Sequence, residues 1–96
     1  MSPLKRIKLS KIRSELDKLD NSLIKLIKNR TNLVNQVLKL KDKKNEIIDN
    51  KRIKNILKNI RKKSIANKID PKITNRIWKN MIWSYIDYEK RNFKKK

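Results

Sequence analysis

The sequence predicts an all-α fold of three helices per chain, and three observations carry that prediction. The 96 residues contain no glycine and only two prolines, Pro3 and Pro71, whereas hairpins and tight β-turns lean on glycine. The apolar residues recur at three- and four-residue spacing, the period of a helix face. Residues that open helices stand where those periodic stretches begin. Ninety-six residues is the size of a single domain, 1–96, with helices expected at about 9–42, 49–68 and 71–93.

In the first helix the apolar positions read Leu9, Ile12, Leu16, Leu19, Leu23, Leu26, Leu33, Val37 and Leu40. This is a heptad seam with its a and d positions filled over more than four repeats. Pro3 and Ser10 are the candidate start signals, and nothing breaks the pattern before the polar run Asp42-Lys43-Lys44-Asn45. The second helix opens at Asp49, a good N-cap, and places Ile53, Ile56, Leu57, Ile60 and Ser64 on one face. Asp70-Pro71 combines a cap with proline at the first helical position. The third helix carries Ile73, Ile77, Trp78, Met81, Ile82, Tyr85, Ile86 and Phe93, and the Lys94-Lys95-Lys96 tail is expected to fray.

Length then bears on assembly. Leu9 to Lys41 is 33 residues, about 50 Å at 1.5 Å per residue. A compact chain of this size has a diameter of roughly 32 Å. The seam of the first helix would protrude with nothing to cover it, so two copies are expected to form an intertwined antiparallel homodimer with their long helices paired.

Composition removes many chemistries. The chain has no cysteine and no histidine, which excludes disulfides, thiol nucleophiles, Ser-His-Asp triads and ordinary zinc sites. No metal or cofactor is therefore anticipated. No stretch is long and apolar enough to span a membrane, and residues 1–12 lack the apolar core of a secretory signal. The charge is large: 29 Lys and Arg against 9 Asp and Glu, formally +20. A basic surface fits nucleic acid or an anionic membrane surface. Yet Lys, Asn and Ile number 22, 12 and 15, a joint bias that compositional drift would also produce. The aromatic residues cluster at 78–93 on an amphipathic helix instead of being interleaved with the basic residues as base-stacking sites require. Nucleic acid is accordingly the less favoured partner.

One residue interrupts the seam. The heptad assigns position 30 to the apolar a stripe, and it is Arg30. A charge there is costly unless it snorkels or meets an anion, although a polar residue that sets register is the plainer explanation. On a continuous helix Lys41 would share nearly the same face, with its Cα about 16 Å further on. Arg13 repeats the phase of Lys41 four heptads earlier. In an antiparallel pair crossing near Leu23 and Ile24, Arg13 of the second copy would fall opposite residues 34–35, between Arg30 and Lys41.

Together these residues resemble the all-helical chorismate mutases. The resemblance runs in order through Arg13, Leu16, Asp17 and Asp20, then Leu23-Ile24 to Arg30, Val37 and Lys41, Asp49 and Arg52, Asp70-Pro71, Ile77-Trp78 with Met81-Ile82, and Glu89. It covers residues 9 to 90. It implies an intertwined homodimer with two shared active sites, chorismate as substrate and prephenate as product. By the same resemblance Arg13 from the partner chain and Arg30 clamp the two carboxylates. Lys41 hydrogen-bonds the ether oxygen of the breaking C–O bond, and Asp49 and Arg52 close the site near the ring hydroxyl. Glu89 matches a position, usually glutamine, that also faces the ether oxygen. The family's glutamate after the second-helix arginine is Ile53 here, and its serine on the third helix is replaced by Tyr85, with Ser84 one residue out of phase.

The implied reaction suits the residues present. A pericyclic rearrangement needs no nucleophile, metal or redox group, only orientation of the enolpyruvyl arm and stabilisation of charge on the ether oxygen. Arginine forks bind carboxylates bidentately, and a lysine ammonium serves the oxygen. A carboxylate cannot donate a hydrogen bond and a carboxylic acid can, so Glu89 would act in its protonated form. Taken singly, Arg13 and Arg52 read as solvated charges, and Trp78, Trp83, Tyr85 and Tyr88 as packing residues. Beside the mutase stand an isochorismate pyruvate-lyase of the same fold, a non-catalytic basic dimer that binds nucleic acid, and a coiled-coil scaffold.

Overall fold

The computed structural model describes residues 1–94. Among them the regular elements are all helical: α1 (Pro3–Leu40), a single 3-10 turn (Lys44–Glu46), α2 (Asn50–Ala66) and α3 (Pro71–Asn92). No helix is long and apolar enough to cross a membrane among the described residues. Lys95 and Lys96 of the basic tail lie outside them.

Helix α1 begins at Pro3, earlier than the expected Leu9. Ser2 provides the start: its hydroxyl oxygen accepts from the Lys5 N–H at 3.3 Å and its carbonyl from the Arg6 N–H at 3.0 Å. Pro3 then occupies the first helical position, where its missing N–H costs nothing. The helix stops at Leu40, before the expected residue 42. There the Lys41 N–H closes a tighter bond to the Leu38 carbonyl at 3.2 Å. The polar run that follows folds into the 3-10 turn, with the Glu46 carboxylate accepting from the Lys43 N–H at 2.9 Å.

The other two helices start where their cap residues stand. Asp49 accepts from the Arg52 N–H at 3.0 Å, and Asp70 from the Lys72 N–H at 2.9 Å with Pro71 behind it. Each side chain satisfies an N–H that the helix cannot pair internally. Helix α2 ends at Ala66, two residues short of the expected Lys68. It closes in a Schellman arrangement, Ile69 N–H to Ser64 carbonyl at 2.8 Å and Lys68 N–H to Ile65 carbonyl at 3.1 Å. The residue after the cap in that motif is left-handed and usually glycine. With no glycine in the chain, Lys68 takes the position at φ 56°.

Contacts divide the chain into two compact units, Met1–Leu33 and Val34–Lys96. In the first, the seam residues are exposed on α1: Leu16 at 52%, Leu19 at 61%, Leu26 at 61% and Leu33 at 60%. The second holds the core. Leu38, Ile47, Ile82 and Ile86 are buried, and Ile48, Ile53, Ile56, Leu57 and Phe93 pack around them. Each such side chain contributes about 1.5–3 kcal/mol by leaving water. Ser64 and Thr74 are buried between α2 and α3 with their hydroxyls 2.6 Å apart, and Ser64 also donates to the Ile60 carbonyl. On α3 the inner stripe is Thr74, Ile82, Ile86 and Glu89, while Ile73 and Ile77 of the expected apolar face are exposed.

The Lys68 conformation yields a direct test. A left-handed backbone costs a non-glycine residue about 1–2 kcal/mol, and glycine gives back part of this as entropy in the unfolded chain. Lys68→Gly is expected to raise stability by about 0.5–1 kcal/mol, read as an upward shift in Tm or in the urea midpoint. An unchanged or lower midpoint would contradict the left-handed assignment.

Candidate active site

The candidate residues divide between the two units. Arg13 and Arg30 lie on α1 within Met1–Leu33, whereas Lys41, Asp49, Arg52, Tyr85 and Glu89 lie within Val34–Lys96. Arg13 is exposed and lines a groove of about 350 Å3 with Arg6, Leu9, Ser10, Ser14 and Asp17. Arg30, the residue that interrupts the seam, is half-buried.

Lys41 and Glu89 come together in the second unit. The Lys41 Nζ lies 3.4 Å from Glu89 Oε1 and 3.5 Å from the Ile47 carbonyl oxygen. Glu89 is only 6% exposed, and a carboxylate so placed requires a cationic or hydrogen-bonding partner. Lys41 is half-buried and supplies one. Its placement differs from the helical one expected. Helix α1 has ended at Leu40, so Lys41 is aimed by the bend that follows and by the Ile47 carbonyl, not by the phase of the heptad. The arrangement holds an ammonium at the edge of the core, with one donor on Nζ beyond these two contacts for an incoming oxygen.

Asp49 and Arg52 also meet, but through the backbone of Arg52. Asp49 Oδ1 is engaged as the cap of α2, and the Arg52 side chain is exposed. Its charge stands in the first turn of a helix, where the macrodipole favours anions. Tyr85 is half-buried and packs edge-on against Tyr88, with ring centroids 6.4 Å apart and planes at 89°. Tyr88 in turn donates to Asn35 Oδ1 at 2.8 Å. Ile53, standing where the resemblance places a glutamate, packs against the core. Among the described residues no cluster of acidic side chains is suited to hold a metal.

A comparison with protein families matches residues 12–90 to the family described as chorismate mutase type II. The chain belongs to that family. The matched span contains all seven candidate residues, from Arg13 to Glu89, and leaves the first turns of α1 outside it. Neither a comparison with curated proteins nor one with solved structures finds a match. In this chorismate mutase domain the fold supplies two contacts that the family motif does not mark, the Ile47 carbonyl on Lys41 and the Asn35–Tyr88 hydrogen bond. The adjacent apolar pair Ile47-Ile48, directly after the polar run, was the available signal that the chain turns back into the core there.

The capping role of Asp49 separates from its charge by substitution. Asp49→Ala removes the acceptor for the Arg52 N–H and is expected to cost about 1 kcal/mol. Asp49→Asn retains a capping oxygen and should hold stability within a few tenths of a kcal/mol, as measured by urea denaturation. Equal losses in the two variants would show that the carboxylate charge, not the cap, is what matters.

Proposed function

We propose that this chain is a chorismate mutase, converting chorismate to prephenate in the route to phenylalanine and tyrosine, and that it works as a cytoplasmic homodimer. The observation that carries the reading is the Lys41–Glu89 pair, an ammonium and a buried carboxyl side chain 3.4 Å apart in a chain of this family. The breaking C–O bond leaves negative charge on the ether oxygen. A fixed ammonium stabilises that charge more in the transition state than in the ground state. In this reading Lys41 donates to the ether oxygen, and Glu89 stands beside it and holds the ammonium in place. Arg30 and the partner's Arg13 hold the two carboxylates through bidentate forks. Asp49, Arg52 and Tyr85 line the side of the ring hydroxyl, where Ile53 offers no hydrogen bond.

The homodimer belongs to the same proposal. Most seam residues of α1, among them Ile12, Leu16, Leu19, Leu23, Leu26 and Leu33, are more than half exposed within one chain, and pairing two copies antiparallel buries both seams. It also brings the partner's Arg13 to the opposite chain's site. An isochorismate pyruvate-lyase would use the same cationic residues, so the deciding assay incubates the purified chain with chorismate and with isochorismate separately. Loss of chorismate absorbance with formation of prephenate supports the mutase; release of pyruvate from isochorismate alone would replace it with the lyase.

The roles predict distinct variants. Lys41→Ala and Arg30→Ala are each expected to lose about 100-fold or more in kcat/KM, measured at a temperature where circular dichroism shows the variant folded, the scale of removing one charge-stabilising donor. An active Lys41→Ala enzyme would defeat the assignment. Co-expression of an Arg13→Ala chain with an Arg30→Ala chain should restore activity, because a heterodimer then carries one intact site; no recovery would mean that the site is not shared.

The role of Glu89 is tested by substitution. Glu89→Gln keeps a hydrogen-bonding group with a donor at that position and should retain activity, whereas Glu89→Leu, which has none, should lose about 100-fold in kcat/KM. Wild-type activity in folded Glu89→Leu would remove Glu89 from the reacting oxygen.

A further inference from the structure

We propose that the hydrogen bond from Tyr88 to Asn35 is a positioning contact that holds the Lys41–Glu89 pair in its working alignment. The inference rests on the mutase reading and adds two residues to it. Asn35 lies on the last turns of α1, six residues before Lys41, and Tyr88 immediately precedes Glu89 on α3. The 2.8 Å bond thus ties together the two segments that carry the pair. It is the tighter of the two links. Lys41 and Glu89 stand at 3.4 Å, a long contact for an ion pair and one that a small slide of α3 would open or close.

The neighbours of Tyr88 make the contact specific. Its ring is braced edge-on by Tyr85 one turn earlier, so the phenol reaches Asn35 from a fixed direction, and both Tyr88 and Asn35 are half-buried. Helix α3 is continuous from Pro71 to Asn92, and a displacement at Tyr88 is therefore passed on to Glu89. The other end is anchored as well, since the bend after Leu40 starts about one and a half turns beyond Asn35 and delivers Lys41 to the Ile47 carbonyl. Catalysis by a placed ammonium is sensitive to displacements of about 1 Å, which cost up to roughly 100-fold in rate even when they originate away from the reacting atoms.

A purely structural bond and a positioning bond differ in what they move. Loss of the former lowers stability and leaves the turnover of folded enzyme intact. Loss of the latter lowers kcat with KM little changed, because the carboxylate clamp is untouched. The experiment measures kcat and KM for chorismate on the full-length dimer as wild type, Tyr88→Phe, Asn35→Ala and the double variant, at a temperature where circular dichroism shows each to be folded. Each single variant is expected to lose kcat by about tenfold with KM within about twofold. The double variant should lose no more than either single, the signature of one shared interaction. Wild-type kcat in both single variants, a change confined to KM, or a double variant that loses the product of the two would overturn the positioning role while leaving the mutase reading in place. Wild-type protein without turnover of chorismate would instead overturn the reading on which the proposal rests, and the proposal with it.

Discussion

A carboxyl side chain with 6% of its surface exposed has to be paired, and much of the second unit is arranged around that requirement. Glu89 sits on the inner stripe of α3, one turn beyond Ile86, where an apolar residue would otherwise continue the core. The cation that meets it comes from a residue just past the end of another helix. Had α1 continued through Lys41, the ammonium would be placed by helical phase alone. Because α1 ends at Leu40, the chain bends, Ile47 enters the core, and its carbonyl stands against Lys41. The buried carboxyl, the helix end and the apolar anchor of the connecting turn are thus one arrangement.

The same arrangement is compatible with the chemistry of this family in a chain that has no histidine or cysteine. A pericyclic rearrangement asks for cations and hydrogen-bond donors in fixed positions, and lysine and arginine supply both. What such a site requires from the fold is rigidity. Here it comes from a small core of four buried apolar side chains, from the Ser64–Thr74 hydroxyl pair that joins α2 to α3, and from side-chain caps at the start of each helix.

The large positive charge is spread unevenly. Helix α2 carries seven lysines and arginines and no acidic residue, whereas α3 has both of its acidic residues, Asp87 and Glu89, near its end. The only side chain in the seam of α1 that is neither apolar nor small is Arg30, and it is half-buried where the flanking seam residues are exposed. Charge density by itself did not distinguish Lys41 or Arg30 from the other basic residues. Their positions at a helix end and in an apolar seam did.

Several features were legible in the sequence because they depend on local chemistry. The absence of glycine and the three- and four-residue apolar spacing fixed helices. Asp49 and Asp70-Pro71 marked two starts to the residue, since a cap and a first-position proline act over a single turn. The order of Arg13, Arg30, Lys41, Asp49, Arg52 and Glu89 made the family recognisable. Other features were set by contacts between residues distant in the chain. Nothing local distinguishes Ile82 and Ile86, which are buried, from Ile73 and Ile77, which are exposed, because the choice belongs to what packs against α3. The end of α1 at Leu40 required Ile47 to be drawn into the core, and the partner of Glu89 required α3 to lie against that bend. Tyr88 and Asn35, 53 positions apart, carry no mark of one another in the sequence, since a side-chain hydrogen bond between two helices exists only once both are packed.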